Sequence, residues 1–336
     1  MGKKILVTGA SGFVGSFLVE KGLDLQMSVW AGMRTSSSKR YLKDERISFI
    51  ELDYHHPEIL FTQLESFKRE HGKWDYIIHC AGVTKCRHKE EFEQTNFFGT
   101  KYFVDTLREL NMEPDKFIYI SSLSIFGPIH EDDYTPIQDS DQPKPNTAYG
   151  VSKYHSEQYL MSLHRFPYII FRPTGIYGPR EKDYFLMVKS IRNHVDFSAG
   201  YKKQLITFVY VKDLVKAVFA ALEKDVLQKC YFITDGHVYT SRAFSDYIQK
   251  ELGNPWVFHF KSPLWLLKII SVCAESFARL FGKSSTLNGD KYKIMRQRNW
   301  QCDISPAVHD LGYIPDFPLE KGVKETVAWY KQEGWI

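Results

Sequence analysis

Residues 4–20 constrain the fold more than any other part of the chain. Ile5, Leu6 and Val7 form a short apolar run that stops at Thr8-Gly9, as expected of a strand buried on both faces. Gly9, Gly12 and Gly15 then recur at every third position, and Phe13, Val14, Phe17 and Leu18 take up the spacing of a helix. Strand, glycine turn and helix in that order let a backbone approach a pyrophosphate, whose charge is held by the unpaired N–H groups and positive dipole end of the helix. An ordinary β-to-α turn with no ligand has the same spacing, so chemistry further along the chain has to decide.

Further strand-like runs fall at residues 27–31, 47–52, 76–79, 116–121, 168–172, 208–211 and 231–234, with helical spacing between several of them. Alternation of this kind predicts an α/β fold, a doubly wound parallel Rossmann sheet of about seven strands with its ligand at the carboxyl ends. The expected organisation is a dinucleotide-binding domain at 1–175, completed by segments near 205–235. A smaller mixed α/β substrate-binding part would be formed by 176–204 and 236–336. Candidates gather at the expected strand ends: Asp53 and Tyr54 after the third run, Cys80, Ala81 and Gly82 after the fourth, and Ser122 after the fifth.

The second run decides the expected cofactor. In NAD-binding folds an acid about twenty residues beyond the glycine turn takes the ribose hydroxyls, whereas a nearby Arg accommodates the 2′-phosphate of NADP. Residues 27–38 contain no acid, and the first charged group is Arg34. NADP is therefore expected, with NAD as the alternative.

Tyr149 and Lys153 lie four apart in a segment of helical spacing, so they project from one face a turn apart. A phenol with an ordinary pKa near 10 is a poor acid or base at neutral pH. A neighbouring ammonium and the positive charge of an oxidised nicotinamide would bring it toward the working range. Ser122 would hold the substrate oxygen near Tyr149 while hydride passes to or from the cofactor.

Charge and cysteine content narrow the rest. The net charge of +4 comes from lysines spread along the chain, without the concentrated basic stripe that nucleic acid requires. Five cysteines at scattered spacings read as reduced thiols, and no metal site is expected. Lys3 and Lys4 precede too few apolar residues for a signal peptide, so a cytoplasmic location is expected. The most apolar stretch, 263–274, falls short of the ~20 residues of a membrane span. The expected reading is a buried or pocket-lining helix; the sharper alternative is a patch resting on a membrane surface.

Several motifs together carry a family resemblance. They are Thr8-Gly9-Ala10-Ser11-Gly12-Phe13-Val14-Gly15, Ser121-Ser122 with Phe126-Gly127, Tyr149-Gly150-Val151-Ser152-Lys153, Arg172-Pro173-Thr174-Gly175-Ile176-Tyr177-Gly178-Pro179 and Phe208-Val209-Tyr210-Val211-Lys212-Asp213. The set resembles the extended short-chain dehydrogenase/reductases, the NAD-dependent epimerase/dehydratase family, over essentially the whole chain. The resemblance implies that Gly9, Ser11, Gly12, Phe13, Val14 and Gly15 cradle pyrophosphate, that Asp53 meets adenine with Tyr54 beside it, and that Cys80, Ala81 and Gly82 line the cofactor. It also implies Ser122, Tyr149 and Lys153 as the catalytic set, with Lys153 on the nicotinamide ribose and Arg172, Pro173 and Thr174 toward the nicotinamide. Thr84, Ser124, Tyr177 and Tyr210 become candidate substrate contacts, and a homodimer is implied.

Departures bear on the substrate. Sugar-nucleotide epimerases carry an Arg where Ile206 stands, and dehydratases carry an Asp-Glu pair where Leu123-Ser124 stand. Together with the apolar segment, this points to the branch resembling 3β-hydroxysteroid dehydrogenases and dihydroflavonol reductases, acting on an apolar alcohol or ketone. A nucleotide-sugar 4-epimerase or reductase is the enzymatic alternative, and an NADP-binding redox sensor the non-enzymatic one.

Overall fold

The computed structural model describes residues 2–280 and 288–336. It divides into two compact units. The first comprises Met1–Ser122, Ala148–Arg172 and Val215–Tyr231, and the second Leu123–Thr147, Pro173–Leu214 and Phe232–Ile336.

The first unit is organised by strands β1 (Lys4–Thr8), β2 (Ser28–Met33), β3 (Ser48–Glu51), β4 (Tyr76–His79), β5 (Lys116–Ile120) and β6 (Tyr168–Pro173). They belong to a seven-stranded sheet in the order Lys229–Ile233, β6, β5, β4, β1, β2, β3. The pairings from β6 through to β3 are all parallel. The chain winds one way from β1 to β3 and the other way from β4 to β6, so the sheet reverses between β1 and β4. That reversal is the switch point outside which such sheets bind ligands. Ile5, Leu6 and Val7 are fully buried, as their unbroken apolar run requires. After the glycine turn, helix α1 (Phe13–Asp24) packs back on the sheet, with Gly22 against Val29.

The second unit departs from expectation in two ways. It is not the smaller of the two. It takes in residues 123–147, which were expected within the dinucleotide-binding domain, because that loop is bonded along its length to residues 297–303: Gln297 Nε2 donates to Gly127 O at 3.0 Å, Asn299 Nδ2 to Thr135 O at 2.8 Å, and Ile137 N to Gln301 O at 2.9 Å. The run at 231–234 completes the large sheet as expected, as strand Lys229–Ile233 beside β6, while Phe208–Tyr210 pairs with Gly175–Tyr177 in a separate two-stranded ladder. Among the described residues no helix is long and apolar enough to cross a membrane. The apolar stretch lies in helix Leu264–Leu280, but it is not a buried or pocket-lining helix, because Trp265, Ile269, Ile270 and Val272 are exposed.

Candidate active site

All of the expected catalytic residues and most of the cofactor residues belong to the first unit. Gly9 has φ +63°, and a Cβ there would lie 2.8 Å from both Ala81 N and Cys80 O, so the turn requires glycine on two counts. A Cβ on Gly15 would overlap Gly9 O. Gly12 N donates to Gly9 O at 2.9 Å and caps α1 with no side chain, and the first turn of the helix carries no acid. The Gly15 N–H meets the Cys80 thiol, and a helix start with no capping side chain and no acid is suited to an anion from outside the helix. Ser11 and Phe13 are half-buried and Val14 is buried. The turn fits a dinucleotide pyrophosphate.

A buried hydrogen-bond chain fixes the adjoining ends of β1 and β4. Thr8 Oγ1 accepts from Cys80 N at 3.2 Å and Ala81 N at 3.1 Å, and lies 2.9 Å from His79 Nδ1. Thr100 Oγ1 donates to Asn96 O at 2.6 Å and lies 3.0 Å from His79 Nε2. Because the Thr100 proton is committed, His79 Nε2–H donates to it, and Nδ1 accepts the Thr8 proton. Burial, with the Lys153 charge adding to it, lowers the His79 pKa to about 3, so the imidazole is neutral and structural.

Asn96 was not assigned a role from the sequence, yet it holds this corner together. Its Oδ1 accepts from Val83 N at 2.8 Å, and its Nδ2 donates to Val83 O at 3.1 Å and Ser152 Oγ at 3.0 Å. It sits in a π-helical turn, Glu93–Phe98, an irregularity common at functional sites. Its sequence neighbours one turn away, Phe92, Glu93, Gly99 and Thr100, gave no signal of this role. A Cβ on Gly82 would lie 2.9 Å from Asn96 Oδ1 and 3.6 Å from Lys153 Nζ, so the loop after β4 passes close to both.

Helix Ala148–Ser162 presents Tyr149, Lys153 and Glu157 one turn apart. Lys153 Nζ donates to Ile120 O at 2.8 Å and stands 4.6 Å over the Tyr119 ring. Burial lowers its pKa to about 8, with the Cys80 and Glu157 charges opposing. Burial pushes Tyr149 up to about 12, and the hydrogen bond from Ser122 is what draws it down. The ammonium is turned to the end of β5, and Ser122 bonds Tyr149.

The Arg172 guanidinium, expected toward the nicotinamide, is instead buried and forked onto Glu157, Nε at 3.0 Å and Nη2 at 2.7 Å from Oε2, so it braces helix Ala148–Ser162. Tyr54 is a core side chain edge-on to His79 and Phe103. Asp53 is partly exposed after β3, its carboxylate accepting from His55 N and meeting His56 Nδ1, each at 2.9 Å. Burial opposes the charge, but these two partners outweigh it and hold the acid below its ordinary range.

Arg34 is exposed immediately after β2. An acid does reach this strand end, from the neighbouring strand: Glu51 is in register with Met33, and its carboxylate accepts from the Thr35 hydroxyl. Glu51 is 17 positions beyond Arg34 in the chain and arrives only through the β2–β3 register.

The remaining candidates separate. Thr84 is exposed in the first unit. In the second, Ser124 is half-buried in the turn Leu123–Ile125, Pro173 is buried, and Thr174 N donates to Ile233 O at 3.3 Å. Tyr177 and Tyr210 are fully buried among aromatic neighbours, their rings 5.5 Å apart, with Tyr210 Oη donating to Glu325 at 3.0 Å. They are core side chains and not substrate contacts.

A doubly wound parallel sheet with a glycine turn at its switch point defines a dinucleotide-binding α/β fold. The chain belongs to the NAD dependent epimerase/dehydratase family, whose model matches residues 5–233. It is 25% identical to the UDP-glucose 4-epimerase of Vibrio cholerae, over 99% of this chain and 97% of that one. Among solved structures it resembles the UDP-glucose 4-epimerase of Thermotoga maritima with UDP-glucose (TM-score 0.77, 23% identity, 98% and 99% covered). It also resembles the dTDP-glucose 4,6-dehydratase of Bacillus anthracis with NAD (TM-score 0.77, 18% identity, 99% and 98% covered). These names set nucleotide sugars, and not the expected steroid- or flavonoid-like compounds, beside this chain. They also set it among enzymes, against the redox-sensor alternative.

Proposed function

We propose that the protein is a nucleotide-sugar 4-epimerase, oxidising a secondary alcohol of the sugar and reducing the ketone from its other face. The observation that carries this reading is the Ser122–Tyr149–Lys153 set followed by a buried Leu123 and by Ser124, with no carboxylate in the two places after Ser122. The set can move a proton on and off an alcohol. It offers nothing at that place to abstract the carbon-bound proton that a dehydration must lose.

In this reading Gly12, Phe13, Val14 and Gly15 hold the pyrophosphate and Asp53 the adenine. NAD or NADP supplies the acceptor and then the donor of the hydride. Ser122 orients the sugar hydroxyl, and Tyr149 Oη takes its proton and later returns it. Lys153, anchored on the Ile120 carbonyl, supplies positive charge to the ribose end of the site.

For the cofactor, we infer NADP from the exposed Arg34 at the end of β2. Glu51 at the same strand end supports a second reading, NAD, because a carboxylate repels a 2′-phosphate and accepts from ribose hydroxyls. Arg34→Ala is expected to weaken NADPH more than NADH, measured by isothermal titration; equal losses would remove the assignment. For the substrate class, UDP- and dTDP-hexoses are expected to raise the unfolding temperature in the presence of cofactor. Stabilisation by apolar ketones alone would overturn the reading.

A further inference from the structure

In the second unit, helix Leu264–Leu280 turns its apolar side outward. Trp265, Ile269 and Val272 stand at i, i+4 and i+7 on one exposed face, with Trp265 64% exposed. The buried positions include Leu267 and Ser271, whose hydroxyl folds back on Leu267 O at 2.7 Å. An ordinary surface helix has the opposite pattern.

The two-stranded ladder of Val195–Ala199 and Phe258–Ser262 repeats the inversion. Its register pairs Phe258 with Val195 and Phe260 with Phe197, so the two-residue period puts all four on one face, and all four are exposed. The opposite face carries His259, whose Nδ1 meets Asp196 at 3.0 Å. The ladder runs straight into the helix, Ser262 ending the one and Leu264 opening the other. A Cβ on Gly200 would lie 3.3 Å from Leu264, Tyr201 Oη donates to Lys261 O at 3.3 Å, and His194 Nδ1 meets the carbonyl of Trp256, itself 74% exposed, at 2.6 Å. Exposed large apolar side chains gathered in neighbouring elements mark a docking site.

The surrounding charge selects the occupant. Residues 193–203 and 254–274 contain Lys202, Lys203, Lys261 and Lys268, all exposed, and their one acid, Asp196, is buried against His259. A second copy docked face to face would set these lysines against their own counterparts. An anionic lipid surface complements them, and it accepts the indole and phenyl groups at headgroup depth. We propose that this face docks the protein on an anionic bilayer, lying in its interface without crossing it.

The test is flotation of the purified full chain with vesicles of phosphatidylcholine alone and with roughly one quarter phosphatidylglycerol. Wild type is expected to float with the anionic vesicles, and less so as salt is raised. The pair Trp265→Ser with Ile269→Ser is expected to reduce the bound fraction roughly tenfold or more. Lys261→Gln with Lys268→Gln is expected to lower binding to anionic vesicles only. Each variant is first shown to keep the wild-type thermal shift with cofactor, and Val272→Ser is read in place of any that does not. No flotation, flotation indifferent to the apolar substitutions, or a dimer that those substitutions dissolve would each overturn the proposal.

Discussion

Lys153→Met isolates the electrostatic character of the site. The lysine is 5% exposed and bonded to Ile120 O, and burial takes its pKa from 10.5 to about 8. Below about pH 8 both folded and unfolded chains carry the proton, and the folded state bears the full cost of a charged amine out of water. Between about 8 and 10.5 the unfolded chain binds more protons than the folded one, so stability rises with pH across that window. At about 1.4 kcal/mol per pH unit, the whole interval amounts to about 3 kcal/mol. The methionine variant has nothing to titrate. At about pH 7 it should gain about 3 kcal/mol, less about 1 kcal/mol for the lost hydrogen bond. By about pH 10.5 the gain should be gone. Urea unfolding of the cofactor-stripped wild type and variant at both pH values measures this, and their difference removes the other titrating groups. A difference independent of pH would refute the claim that the folded chain holds this amine desolvated.

Two further substitutions probe the same helix. Tyr149→Phe should lower turnover by about 10²–10⁴-fold and leave NAD(P)H binding by fluorescence titration nearly unchanged, since the phenol moves a proton and the cofactor is held elsewhere. Glu157→Gln should cost about 3–5 kcal/mol in urea unfolding by leaving the Arg172 cation buried without its counter-ion, and pairing it with Arg172→Met should recover most of that loss; a single-variant cost under about 1 kcal/mol would show the pair to be solvated.

The sheet and its ligand edge were legible because they depend on local pattern. Ile5, Leu6 and Val7 ending at Gly9 specify strand, turn and helix within a few residues, and Tyr149 with Lys153 needs only the helical period. What stayed hidden depends on contacts distant in sequence. Glu51 reaches the cofactor end of β2 through sheet register, so the acid-free run from 27 to 38 described one strand and not the strand end. Tyr177 and Tyr210 carry polar tips on aromatic rings, and only the packing of the second unit shows those rings to be core. Arg172 pointed toward a ligand until Glu157, two turns beyond Tyr149 on the helix, was seen to hold it. Residues 264–274 were apolar enough to be read as interior, and sequence cannot tell which way an apolar helix face is turned.

The central claim is an epimerase that returns its hydride to the same molecule. Incubation of the enzyme with NAD(P) and UDP- or dTDP-hexoses, followed by proton NMR, tests it directly. The expected result is interconversion of the 4-epimers with no net accumulation of reduced cofactor, lost in Tyr149→Phe. Stoichiometric reduced cofactor with an apolar alcohol and no change in any nucleotide sugar would contradict it, as would a 4-keto-6-deoxy product, which requires the elimination chemistry that Leu123 and Ser124 do not provide.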